Sequence, residues 1–276
     1  MKVWLPADEI HGVIVAVHGF NDYSNFIKDA ALFFNHQKIA VYSYDQRGFG
    51  ETKTRGKWSG TQALSNDLAT LVGLVSATHP GIPVYILGDS MGGAVTIVTM
   101  AKEDSPKIAG VILVAPAVWA RSEMPLYQRC LLWIAAHTIP WIKVTGESLE
   151  VKPSDNIEML EELGKDPLVI KGTRIDVLYG VSNLMDEAYE SAELLKIKSL
   201  ILYGKKDEII PQKPIVEFYK RLPLSKQDQQ QMILYENGYH MLLRDLQSKT
   251  VKKDIRDWIK GLAMSTPLFK VTLPTQ

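Results

Sequence analysis

The sequence predicts an α/β fold, a mostly parallel sheet with helices on both faces. Three observations carry this expectation. Six short runs rich in apolar and β-branched residues recur along the 276-residue chain, apolar at consecutive positions as in strands buried on both sides. Helix-compatible stretches separate most of them. His18, Ser90, Asp207 and His240 each fall just past the end of one run, where sheets of this kind collect functional groups.

The strand candidates are Val13–Val17, Ile39–Tyr44, Pro83–Leu87, Gly110–Val114, Ser199–Tyr203 and Gln231–Tyr235. Between and after them, Phe26–Gln37, Gln62–Thr78, Ala94–Lys102, Pro214–Arg221 and Thr250–Ala263 read as helices. The alternation breaks from Ala117 to about Glu193, a stretch holding Trp119, Trp133 and Trp141. Long insertions at a functional edge are usually functional themselves. We therefore expect residues 1–116 and 194–276 to form one core, with 117–193 inserted as a helical cap over the strand ends.

Composition narrows the function class. Lys plus Arg and Asp plus Glu each number 31, so no basic excess points to nucleic acid or anionic lipid. Cys130 is the single cysteine, which excludes an internal disulfide and reads as a small apolar filler. The longest apolar approach to a membrane span, Cys130–Ile142, is broken by His137 and Pro140 and falls short of the roughly 18 residues needed. No signal peptide is visible at Met1, and no metal-ligand cluster or cofactor fingerprint occurs, so no cofactor is expected.

The decisive motif is Gly88-Asp89-Ser90-Met91-Gly92, set directly after an apolar run and before a small-residue helix start. A serine there sits at the apex of a sharp strand-to-helix turn, its hydroxyl lifted clear of the sheet. The helix that follows aims its first amides at any anion forming nearby. A serine hydroxyl needs a base, and that base an orienting acid. Of the six histidines, His240 lies in the loop after the last strand, at the same edge as Ser90, and is the candidate base. His36 and His79 fall at helix ends, His11 precedes the first strand, and His137 belongs to the insertion. Asp207, on the turn after Tyr203-Gly204, is the candidate acid; Glu208 beside it and Asp176 are weaker competitors. The backbone amides of Met91 and Phe20 are the candidate oxyanion donors.

Other residues read as structural. His18 braces the loop that carries Phe20. Asp45 and Arg47 are expected to pair within their own turn, and Asp67 to anchor the helix behind it. Asp89 has no assigned role. Leu126, Trp133 and Trp141 are candidates for an acyl channel or a membrane-facing surface, and equally for the packed core of the cap.

Taken together, these residues resemble the α/β-hydrolase superfamily, and within it the monoacylglycerol lipase and lysophospholipase branch, grouped with serine aminopeptidase S33-like hydrolases. The matching pieces are His18-Gly19-Phe20, Tyr44–Gly50, Gly88–Ala94, Asp166-Pro167-Leu168, Gly204–Asp207 and Gly238-Tyr239-His240, spread over nearly the whole chain in the family's order. The order Ser90, Asp207, His240 is that of the α/β-hydrolase fold. The resemblance implies Ser90, Asp207 and His240 as a triad, Phe20 and Met91 amides as the oxyanion hole, and a single-chain lipid ester as substrate. It also implies an acyl pocket under a cap placed before the acid-bearing strand. Two departures stand out. The family more often has histidine or glutamate where Asp89 stands. It also opens with two antiparallel strands, for which only Met1–Leu5 is available, so the first strand is expected to be missing. An upstream export signal or lipid anchor then stays open, and localisation lies between the cytoplasm and the membrane periphery. Alternatives on the same fold are a peptidase or amidase, using insertion acids such as Glu147, Glu150 and Asp155, and a small-ester carboxylesterase. A non-catalytic binding protein is the alternative outside enzymes.

Overall fold

The computed structural model describes residues 1–146, 151–223 and 229–269; Glu147 and Glu150 lie outside them. A seven-stranded sheet forms the centre, from β1 (Lys2–Trp4), β2 (Gly12–Val17), β3 (Ile39–Ser43), β4 (Val84–Asp89), β5 (Gly110–Val114), β8 (Ser199–Gly204) and β9 (Gln230–Tyr235). The strand order is β1-β3-β2-β4-β5-β8-β9. The six strands read from the sequence all pair in parallel. Lys2–Trp4 adds an antiparallel edge through pairs such as Val3 with Tyr42.

Successive side chains of a strand point to opposite faces, so a strand buried on both sides feeds two core layers. In β2, Val13, Val15 and Val17 pack toward α2 (Thr61–Thr78) and α3 (Met91–Met100), in the layer that also takes Phe218 of α7 (Gln212–Lys220). Ile14 and Ala16 pack toward α1 (Lys28–Asn35) and α8 (Ser248–Lys260). Phe34 of α1 has no solvent exposure, so its truncation to alanine is expected to cost about 3–5 kcal/mol. The α8 helix stops at Gly261, whose φ of 67° is the left-handed cap conformation that favours glycine.

Between β5 and β8 the chain leaves the sheet and builds α4 (Leu126–Thr138), β6 (Lys143–Thr145), α5 (Ile157–Lys165), β7 (Gly172–Arg174) and α6 (Ile175–Glu190). β6 and β7 form a separate antiparallel pair. The last of these helices returns to the core: Val181, Leu184, Met185 and Ala188 of α6 are buried in the layer with α3. By contrast, α4 buries no residue. Cys130 lies on it and is exposed, which corrects its reading as a filler, because the helix has no side turned into a core. No helix among the described residues is long and apolar enough to cross a membrane.

Candidate active site

β4 ends at Asp89 and α3 begins at Met91, leaving one residue to make the turn. That residue, Ser90, has φ 50° and ψ −113°, a conformation that L residues adopt only under constraint. The constraint is visible. The Ser90 amide donates to the Val114 carbonyl at 2.9 Å, and the Ser90 carbonyl accepts from Ala117 at 2.9 Å. Gly92 is needed on the other side, since a Cβ there would lie 2.1 Å from the Val17 carbonyl oxygen. The helix therefore starts three residues earlier than the sequence reading, at the elbow itself.

The candidate acid and base arrive from the two strands beyond. Gly204 and Gly238 let the turns after β8 and β9 meet at backbone distance; a Cβ on Gly204 would sit 2.4 Å from Gly238. On the first turn, Asp207 Oδ1 accepts the amides of Ile209 and Ile210 at 2.8 and 2.9 Å. This leaves Oδ2 for the His240 ring, whose Nδ1 is 2.7 Å away. The carboxylate only accepts, so the Nδ1 proton belongs to that bond and Nε2 is left with a lone pair. Ser90 Oγ lies 2.9 Å from Nε2, within donating distance. Glu208 instead accepts the Lys152 amide, and Asp176 pairs with Arg174; neither meets His240.

His240 is buried, which by itself disfavours its charged form. The adjacent Asp207, through charge and hydrogen bond, and the Asp89 charge outweigh this and hold its pKa above the ordinary histidine value, against a smaller opposing effect of Arg244. Asp89 is buried as well, and burial pushes its pKa up to about 6, with Asp22 and Asp207 adding to the rise and Arg244 and His240 opposing it.

The proposed anion donors flank the serine. Met91 is fully buried, and its amide, like that of Phe20, donates to no protein group among the described residues. Met91 opens α3, and the first N–H groups of a helix have no intrahelical carbonyl to bond. The loop bearing Phe20 is braced as expected by His18. Its Nδ1 donates to the Gly19 carbonyl at 2.8 Å, and its Nε2 accepts from the Gln46 amide at 3.0 Å. Burial lowers the His18 pKa, as suits a neutral brace.

Other expectations resolve differently. Asp45 and Arg47 do not pair. Asp45 accepts the amides of Ser24 and Glu51, each at 2.9 Å, while Arg47 makes a bidentate contact with Asp67 of α2 at 2.5 and 2.9 Å. One amide from its own turn and one from the segment before α1 satisfy Asp45, and Arg47 reaches the helix instead. Leu126 and Trp133 share a cavity of about 390 Å³ with Arg121, Arg129, Cys130 and Ile134, and no residue of the triad lines it. Trp141 lies outside that cavity and is exposed, and Trp133 stacks on His137 with ring centroids 4.4 Å apart. The described residues contain no group of three or more His, Cys, Asp or Glu placed to hold a metal ion.

Two partly buried contacts near the site were not anticipated. Arg244, four residues after His240, pairs with Asp22 of the Phe20 loop at 2.5 Å. Tyr23 donates its hydroxyl to Asp166 of the insertion at 2.7 Å, and burial together with Asp166 pushes the phenol up to about 12.

A family model described as serine aminopeptidase, S33 matches residues 8–247. The chain belongs to this family. It is a member of the α/β-hydrolase class, and the family match takes in the elbow, the Asp207 turn and the His240 loop alike. Among its relatives, human monoglyceride lipase is 25% identical over 269 residues, covering 94% of this chain and 85% of the relative. A monoacylglycerol lipase of Mycolicibacterium smegmatis is 26% identical over 261 residues, covering 93% and 91%. Among solved structures, a soluble variant of the Saccharomyces cerevisiae monoglyceride lipase with a substrate analogue superposes with a TM-score of 0.80 at 20% identity, over 94% of this chain and 90% of that one.

Proposed function

We propose that this chain is a serine hydrolase cleaving the carboxylic ester of a single-chain lipid, in the manner of a monoacylglycerol lipase or lysophospholipase. One observation carries the reading. Ser90 Oγ, His240 and Asp207 form a continuous hydrogen-bonded chain of 2.9 and 2.7 Å on a strained strand-to-helix elbow. The names of its relatives supply the substrate class.

In the mechanism that follows, His240 takes the Ser90 proton as the hydroxyl attacks the ester carbonyl, and Asp207 orients the ring and stabilises its charged form. The Phe20 and Met91 amides bind the oxyanion. The alcohol leaves, protonated by His240, and water releases the acid from the acyl-enzyme by the same route. Residues 117–193 act as the cap over the core formed by 1–116 and 194–276. Leu126, Trp133 and Trp141 form an apolar surface that takes up the acyl chain and touches the lipid aggregate in passing. Their exposure supports that role more than the enclosed channel expected from sequence.

The test is the initial rate on p-nitrophenyl esters from acetate to palmitate, followed by monoacylglycerol, lysophospholipid and an aminoacyl anilide. Rates should rise toward longer chains, and Ser90→Ala should reduce them by roughly 10⁴-fold or more. A folded Ser90→Ala protein with wild-type turnover overturns the triad. Hydrolysis of the anilide alone overturns the ester assignment.

A further inference from the structure

We propose that Asp245 and Ser154 are positioning residues for His240, so that a segment of the insertion sets the geometry of the base. The inference rests on the reading of His240 as the base. Its ring must keep Nε2 at 2.9 Å from Ser90 Oγ and Nδ1 at 2.7 Å from Asp207, although the residue lies in a loop between β9 and α8 with no strand ladder to fix it. Displacements of about 1 Å at such a contact cost on the order of 10²-fold in rate.

The loop is instead fixed on either side of His240. Before it, the Tyr239 amide donates to Asp245 Oδ2 at 2.8 Å. After it, the Met241 amide donates to the carbonyl of Pro153 in the insertion at 3.0 Å. The two sides are joined, because Asp245 Oδ1 accepts the hydroxyl of Ser154 at 2.6 Å. Ser154 is fully buried and Asp245 is 1% exposed. Further ties hold the same two segments together: Asn156 Nδ2 donates to the Arg244 carbonyl at 3.0 Å, and the Leu246 amide donates to Asp155 Oδ1 at 2.9 Å.

A carboxylate at this place is otherwise hard to explain. Among the described residues Asp245 pairs with no cation, and burial raises its pKa despite the bonds from Ser154 and Tyr239 and the nearby His240. Its geometry accounts for it. Two oxygens on one planar group bridge the insertion and the His240 loop, which an apolar residue of the same size cannot do. Neither Asp245 nor Ser154 has a hydrogen bond to Ser90, so both act through His240.

The experiment measures kcat, KM and the pH profile of p-nitrophenyl butyrate hydrolysis for Ser154→Ala and Asp245→Asn beside wild type and Ser90→Ala. The charged groups facing His240 are Asp207 after β8, Asp89 at the end of β4, and Arg244 and Asp245 in its own loop, with Asp155 facing Asp245. Ser154→Ala deletes no charged group, whereas Asp245→Asn deletes one, so the fall of kcat in Ser154→Ala is the readout of geometry. We expect kcat to fall by roughly tenfold in Ser154→Ala and further in Asp245→Asn, with KM within about twofold. The acid limb of kcat/KM should move to lower pH in both, because a loosened Asp207 contact no longer raises the His240 pKa as far. A folded Ser154→Ala protein with wild-type kcat and acid limb overturns the proposal, whether or not Asp245→Asn folds. A lowered melting temperature with unchanged kcat overturns it equally. Activity that survives in Ser90→Ala overturns the triad reading instead, a separate result.

Discussion

The two parts of the 117–193 insertion are built in opposite ways. The first part, around α4, is attached mainly at its ends, through Arg121 to Asp186 and Asn183, and through His137 against Tyr179. Leu126, Leu131 and Trp133 on that helix are each more than half exposed. The later part, from Lys152 to Thr173, is hydrogen-bonded into the core. It reaches the His240 loop through Pro153, Ser154 and Asn156. It reaches the Phe20 loop through Asp166, Thr173 and the Ile170 amide, which donates to Asn21. One insertion thus holds a scaffold for the chemistry and a loosely tied apolar helix beside it. Treating the whole of it as a lid that opens as one body would put the Phe20 and His240 loops in motion too.

Substitutions sharpen this contrast, and the largest effect belongs to the anchored loops. Asp22→Ala leaves the buried Arg244 guanidinium without its partner and should cost about 3–5 kcal/mol in urea unfolding. A loss under about 1 kcal/mol would mean that the two loops are not locked together. Next comes Asp89→Asn. The Asp89 carboxyl titrates near 6 in the folded chain, above its ordinary 3.8. Its protonated form therefore favours folding most below pH 3.8, and that contribution is lost as pH rises through 6. Above pH 6 the wild type keeps a buried charge that asparagine avoids, so the variant should be more stable there, by about 3 kcal/mol at most, with the advantage fading toward pH 4. The same variant removes a charge that raises the His240 pKa, so the acid limb of its kcat/KM should shift down.

A smaller effect is expected from Tyr23→Phe, which removes one hydrogen bond between the later part of the insertion and the Phe20 loop, worth about 1 kcal/mol for this partly buried pair. The smallest belongs to α4. Leu126→Ser with Trp133→Ser should change stability by no more than about 0.5 kcal/mol, since neither side chain is buried. KM for the palmitoyl ester should nonetheless rise severalfold while acetate hydrolysis is unchanged. If thermal melts instead show α4 variants as damaging as Tyr23→Phe, the two parts are integrated alike.

The six parallel strands were legible because each is apolar on both faces, and all five helices were placed to within three residues at either end. The elbow, the Asp207 turn and the His240 loop were legible from their position past strand ends. The β6–β7 pair was not: each strand is three residues long, β6 is exposed, and Thr173 is the buried residue of β7, too little for a pattern. Lys2–Trp4, largely exposed as well, was reached through the family resemblance rather than through burial. The supporting contacts were invisible for a different reason. Asp22 and Arg244 are 222 residues apart, Tyr23 and Asp166 are 143 apart, and Ser154 and Asp245 are 91 apart. A single chain gives no local signal for such pairs. The one pairing inferred from adjacency, Asp45 with Arg47, failed because the backbone amides of Ser24 and Glu51 satisfied Asp45 first.

On the proposed triad, the positive φ of Ser90 sets activity against stability at a single residue. Alanine removes the hydroxyl yet keeps the strained backbone, whereas glycine removes both. A Ser90→Gly chain should therefore resist denaturation better than Ser90→Ala, by on the order of 1 kcal/mol, while being equally inactive. The gap between these two variants would measure the backbone strain that the elbow holds at this residue.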